Sequence, residues 1–90
     1  MSALHASAKI RNKRGLHARA SAKIVEAAAR FQSEIHIIKD GNAVNGRSIM
    51  GLMMLAASPG SQIRLSAYGP QAEVAIAAIV ELIAAKFEED

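Results

Sequence analysis

Ninety residues, 51% of them hydrophobic, suffice for one small domain with a single core, residues 1–90, and are too apolar for a disordered chain. There is no cysteine, which excludes a disulfide framework and a thiolate metal site and leaves the cytoplasm as the expected compartment. The net charge of +3 is uneven: residues 1–47 carry nine Lys and Arg against three acids and residues 48–90 two against five, leaving the halves at +6 and −3.

Leu4, Ala6, Ala8 and Ile10 alternate with His5, Ser7 and Lys9, the signature of a strand with one buried face. A glycine turn at Gly15 precedes a helix expected over residues 18–30, with Ile24, Ala27, Ala28 and Phe31 at helical spacing. Residues 34–39 read as a second strand, and Asp40-Gly41-Asn42 is a hairpin signal leading to a short third strand around Ala43 and Val44. Ser48 suits the N-cap of a short helix, residues 49–57, which Ser58-Pro59-Gly60 ends. Ile63, Leu65 and Ala67 alternate in a fourth strand, stopped at Tyr68-Gly69-Pro70. Pro70 is expected at the first position of the last helix, whose stripe is Ile76, Ile79, Val80, Ile83 and Phe87. The order βαββαβα with alternating strands predicts an α+β fold. It is an open-faced two-layer sandwich, a four-stranded antiparallel sheet with three helices on one face.

Chemistry concentrates at Arg14-Gly15-Leu16-His17-Ala18-Arg19. The first amides of a helix have no intrahelical partner and attract anions, so the backbone of Ala18 and Arg19 would hold an anion such as phosphate beside the imidazole, with the Arg19 guanidinium adding a forked cation. Each such helix-end contribution is only about 0.3–1 kcal/mol when exposed, so an anion there is held loosely. Lys9, Arg11, Lys13, Arg14, Arg19, Lys23 and Arg30 surround this segment and point to an acidic partner, a phosphate or a nucleic acid.

The run Gly15-Leu16-His17-Ala18-Arg19 before a helix, followed later by Asn45-Gly46-Arg47-Ser48-Ile49-Met50-Gly51, resembles the HPr family of histidine-containing phosphocarriers over nearly the whole chain. The resemblance implies a carrier rather than an enzyme. His17 would take a phosphoryl group on Nδ1 from enzyme I of the phosphoenolpyruvate-dependent phosphotransferase system and pass it to a IIA component, in sugar uptake or a nitrogen-related branch. It also implies a regulatory role for Ser48 as the target of an HPr kinase/phosphorylase. One position departs from the family pattern: Ala20 stands where a proline is usual, which removes a fixed first-turn geometry.

The segment Ile49-Met50-Gly51-Leu52-Met53-Met54-Leu55 is apolar around most of its helix. Leu52 and Leu55 are the core candidates, and Ile49, Met50, Gly51, Met53 and Met54, with Ala20 and Lys23, are the expected partner-binding residues. His5 and His36 fall on strand positions facing solvent without a ligand-forming neighbour, so no metal ion and no cofactor is expected. The longest apolar run is far short of a membrane span and residues 1–8 lack the features of an export signal, so a soluble protein is expected; a monomer is expected as well. A small basic nucleic-acid-binding module is the alternative, disfavoured because Phe31, Tyr68 and Phe87 are the whole aromatic complement.

Overall fold

Alternating apolar residues make the sheet. In the computed structural model β1 (Leu4–Lys9), β2 (Glu34–Lys39), β3 (Asn42–Asn45) and β4 (Gln62–Tyr68) pair antiparallel in the order β1-β4-β2-β3. The structure describes residues 3–88; Met1, Ser2, Glu89 and Asp90, the ends of the expected domain, lie outside the described residues. Register places Ile35 opposite Ala67 and Ile37 opposite Leu65, so one sheet face is a continuous apolar layer. Each fully buried Ile or Leu there contributes about 1.5–3 kcal/mol. The opposite face carries His5, Ser66 and His36 in one cross-strand row and Ser7, Arg64 and Ile38 in the next. His5 is exposed and His36 half-buried, both away from the helices.

The helices α1 (Ala18–Ala29), α2 (Ile49–Met54) and α3 (Ala72–Ala84) cover the apolar face, completing the expected βαββαβα sandwich. The β2–β3 turn uses Asp40 and Gly41, both at positive φ (51° and 82°), the geometry that matches the twist of a two-residue hairpin. Ile10, expected inside the first strand, lies just beyond it but still pairs, its amide with Ser61 O at 2.8 Å and its carbonyl with Gly60 N at 2.7 Å.

Three helix boundaries differ from expectation. The second helix stops at Met54 instead of reaching Ala57: Ala56 turns left-handed (φ 53°), and the Ala57 carbonyl is drawn to the Leu16 amide at 2.9 Å. Pro70 does not begin α3. Gln71 is tied to the α1–β2 connection first, its amide donating to Gln32 O at 3.1 Å and its Oε1 accepting from Gln32 N at 2.7 Å, so the helix starts at Ala72. Phe87 joins the core (0% exposed), but not along a continuing stripe. A tight turn, Lys86–Glu88, has φ of 56°, 55° and 62° and swings the ring back inward, and Lys23 Nζ donates to the Phe87 carbonyl.

Candidate functional site

The chain reaches His17 through a loop held by buried backbone. Asn12 is fully buried and its Nδ2 donates to Gly15 O at 2.8 Å, while the Gly15 amide returns to Asn12 O at 3.3 Å. Gly15 takes φ 64° and presses against the segment after α2: a Cβ there would stand 2.3 Å from Ala57 O. Leu16 then donates to that same carbonyl, and Ser21 Oγ donates to Leu16 O at 3.3 Å. Two backbone and two side-chain hydrogen bonds around Gly15 and Leu16 thus restrict the backbone that leads into His17.

His17 caps α1 in extended conformation (φ −75°, ψ 179°), and its Nδ1 accepts the Arg19 amide at 3.3 Å. A ring nitrogen that accepts a hydrogen bond does so through its lone pair, so in this arrangement Nδ1 is the unprotonated ring nitrogen. The bond is long and therefore weak, and the same amide can turn to an oxygen of an incoming group. The ring is half-buried, with Ala18, Arg14 and Arg19 exposed beside it.

Ser48 caps α2 (φ −110°, ψ 107°), its Oγ accepting Gly51 N at 2.9 Å. Beyond it Ile49, Met50, Met53 and Met54 are exposed, Met50 by 71% and Met54 by 79%, while Leu52 and Leu55 are buried as expected. Because α1 packs on α2 and Leu16 is bonded to Ala57, the apolar patch flanks the His17 loop. Gly51 contributes closeness: a Cβ there would stand 3.1 Å from both Val44 Cβ and Ser48 Oγ.

One of the residues expected to meet a partner is placed otherwise. Ala20 is 0% exposed, one turn before Ile24 on the stripe that α1 turns to the core, so its side chain offers nothing to a partner. Lys23 is half-buried, with its ammonium engaged by the Phe87 carbonyl. Asn12 escaped sequence reading altogether; its one visible signal was a polar amide just after a strand and three residues before a glycine.

Among the described residues no group of three or more His, Cys, Asp or Glu could hold a metal ion, and no helix is long and apolar enough to cross a membrane. Fold and site together define a small α+β domain that presents an imidazole at a helix start and an apolar patch beside it, on its surface rather than in a cavity. The family model described as "PTS HPr component phosphorylation site" matches residues 4–85. The phosphocarrier protein HPr of Neisseria meningitidis is 48% identical over 86 residues, covering 96% of this chain and 97% of that protein. The crystal structure of HPr-C-His from Thermoanaerobacter tengcongensis superposes with a TM-score of 0.92 at 46% identity, covering 97% of this chain and 98% of that one. An HPr dimer from the same organism gives 0.75 at 49% identity, covering 88% and 91%. The chain belongs to the HPr family, the phosphocarriers of the phosphotransferase system, which are not themselves catalysts.

Proposed function

We propose that His17 Nδ1 is the atom that takes the phosphoryl group from enzyme I and yields it to a IIA component. The observation that carries this is the Arg19 amide donating to Nδ1, which places a lone pair and an anion-binding N–H at one point. In the transfer a P–N bond forms at Nδ1 as the donor's bond to phosphorus breaks, and the new oxygens, near −2 in charge, meet the Ala18 and Arg19 amides at the positive end of α1. The Arg19 guanidinium neutralises the charge spread over the transferred group. The domain acts as a monomer in the cytoplasm and serves either sugar uptake or a nitrogen-related branch. The test is incubation with phosphoenolpyruvate and enzyme I followed by gentle mass analysis: the gain of one acid-labile phosphoryl group supports the assignment, and an acid-stable one on another residue overturns it.

Arg19→Ala should fold like the parent, since the side chain is exposed, yet transfer about tenfold more slowly, the equivalent of about 1.4 kcal/mol in the transition state. An unchanged rate in stopped-flow transfer removes the guanidinium from the mechanism.

Ser48 is the proposed target of a kinase, and Ile49, Met50, Met53 and Met54 the surface on which enzyme I and the IIA component dock. A phosphate at this N-cap is compatible with the helix, but it sets a dianion beside the patch that an acidic partner must cover. Ser48→Asp is therefore expected to keep its melting temperature within a few degrees and to lose docking affinity, read by titration calorimetry with enzyme I. Binding as tight as the parent's would separate Ser48 from regulation.

A further inference from the structure

At the other end of α1, about 18 Å from His17 for a twelve-residue helix, the chain forms a second polar recess that the phosphocarrier chemistry does not use. It is a cleft of about 490 Å³, within the range of small-molecule sites, formed where the α1–β2 connection, the end of β3 and the β4–α3 connection meet. Its floor is closed by a tight backbone approach: Gly69 has φ 121°, and a Cβ there would stand 3.1 Å from Gln32 O and Ser33 Cα.

Two opposite charges line this cleft without meeting. Arg47 donates from its guanidinium only to the Phe31 carbonyl at 3.0 Å, and the Glu34 carboxylate accepts only the Tyr68 hydroxyl. Among the described residues neither has an ion-pair partner, so they stand farther apart than a salt bridge allows. That bond and the charge of Glu34 raise the Tyr68 phenol above its ordinary value. Ser33 is another lining residue, and its Oγ is buried beneath the surface without a hydrogen-bond partner among the described residues. The Tyr68 ring and Pro70 supply an apolar wall. A lone anion would be repelled by Glu34 and a lone cation by Arg47; a molecule carrying both signs a few ångströms apart satisfies both.

We propose that this cleft binds a free α-amino acid with an apolar side chain, its carboxylate on Arg47, its ammonium on Glu34 and its side chain against Tyr68 and Pro70. Both charged contacts are near solvent, so affinity on the order of millimolar is expected.

The test titrates the 15N-labelled protein with L-leucine and with the two analogues that each lack one charge, 4-methylpentanoate and 3-methylbutylamine. Leucine should give saturable shifts confined to residues 32–34, 45–47 and 68–70, and each analogue should bind about five- to tenfold more weakly. Arg47→Gln and Glu34→Gln should each lower leucine affinity by a similar factor, with the parent's melting temperature nearly retained. If a variant fails to fold, the analogue series on the parent still decides. Equal binding of all three compounds, shifts centred on residues 14–19, or no saturable binding of leucine up to about 50 mM overturns the proposal.

Discussion

His17→Ala is expected to gain no acid-labile phosphate from phosphoenolpyruvate and enzyme I, while folding as the parent does. The ring is half-buried at a helix start, and most of the loop's hydrogen bonds run through its backbone: His17 N to Gly15 O and Ser21 N to His17 O, each at 2.9 Å. Alanine keeps both and forfeits the side-chain cap on Arg19 N, worth about 0.5–2 kcal/mol, a drop in melting temperature of roughly 2–16 °C. The loss of function should be total, because among the described residues the other two histidines, His5 and His36, stand on the open sheet face away from any helix start. His17→Gln sharpens the test. Its amide retains a polar cap but has no nucleophilic nitrogen, so it should recover stability without recovering phosphorylation. Phosphoryl transfer to either variant at the parent rate would place the accepting atom elsewhere.

What the sequence disclosed was what short-range periodicity encodes. Ile63, Leu65 and Ala67 announced β4, Asp40-Gly41 announced the hairpin, and Ser48 before an apolar run announced the cap of α2; each rests on neighbours within four residues. The same rule, carried one turn back from Ile24, would have placed Ala20 inside. What stayed hidden depends on partners far along the chain. The end of α2 is set by Leu16 claiming Ala57 O, the start of α3 by Gln71 crossing to Gln32, and the engagement of Lys23 by a carbonyl 64 residues away. No local pattern signals these. The candidate site divides in the same way. Its histidine, arginine and helix start were visible in sequence, whereas Asn12, which grips the Gly15 carbonyl from inside, and the lone pair held on Nδ1 became visible only in three dimensions.

Gly15→Ala tests that hidden scaffold and should be the most damaging single-methyl change near the site. Two costs add. Alanine in the left-handed region costs about 1 kcal/mol, and its Cβ would lie 2.3 Å from Ala57 O, a contact relieved only by moving the carbonyl that Leu16 N binds. Losing that buried hydrogen bond and loosening Leu16 costs about 2 kcal/mol more. For a domain of this size the sum, about 3 kcal/mol, lowers the melting temperature by roughly 12–24 °C. Gly41→Ala is the matched control: φ is again positive (82°) but nothing lies within 4 Å of the added Cβ, so only the backbone cost of about 1 kcal/mol remains, roughly 4–8 °C. Calorimetric melting of the two variants side by side separates strain from collision. The loop displacement in Gly15→Ala should also move the Arg19 amide resonance and slow phosphoryl acceptance, whereas Gly41→Ala leaves both unchanged. Equal melting of the two variants would mean that Ala57 yields freely, and that the Gly15 turn does not fix where His17 stands.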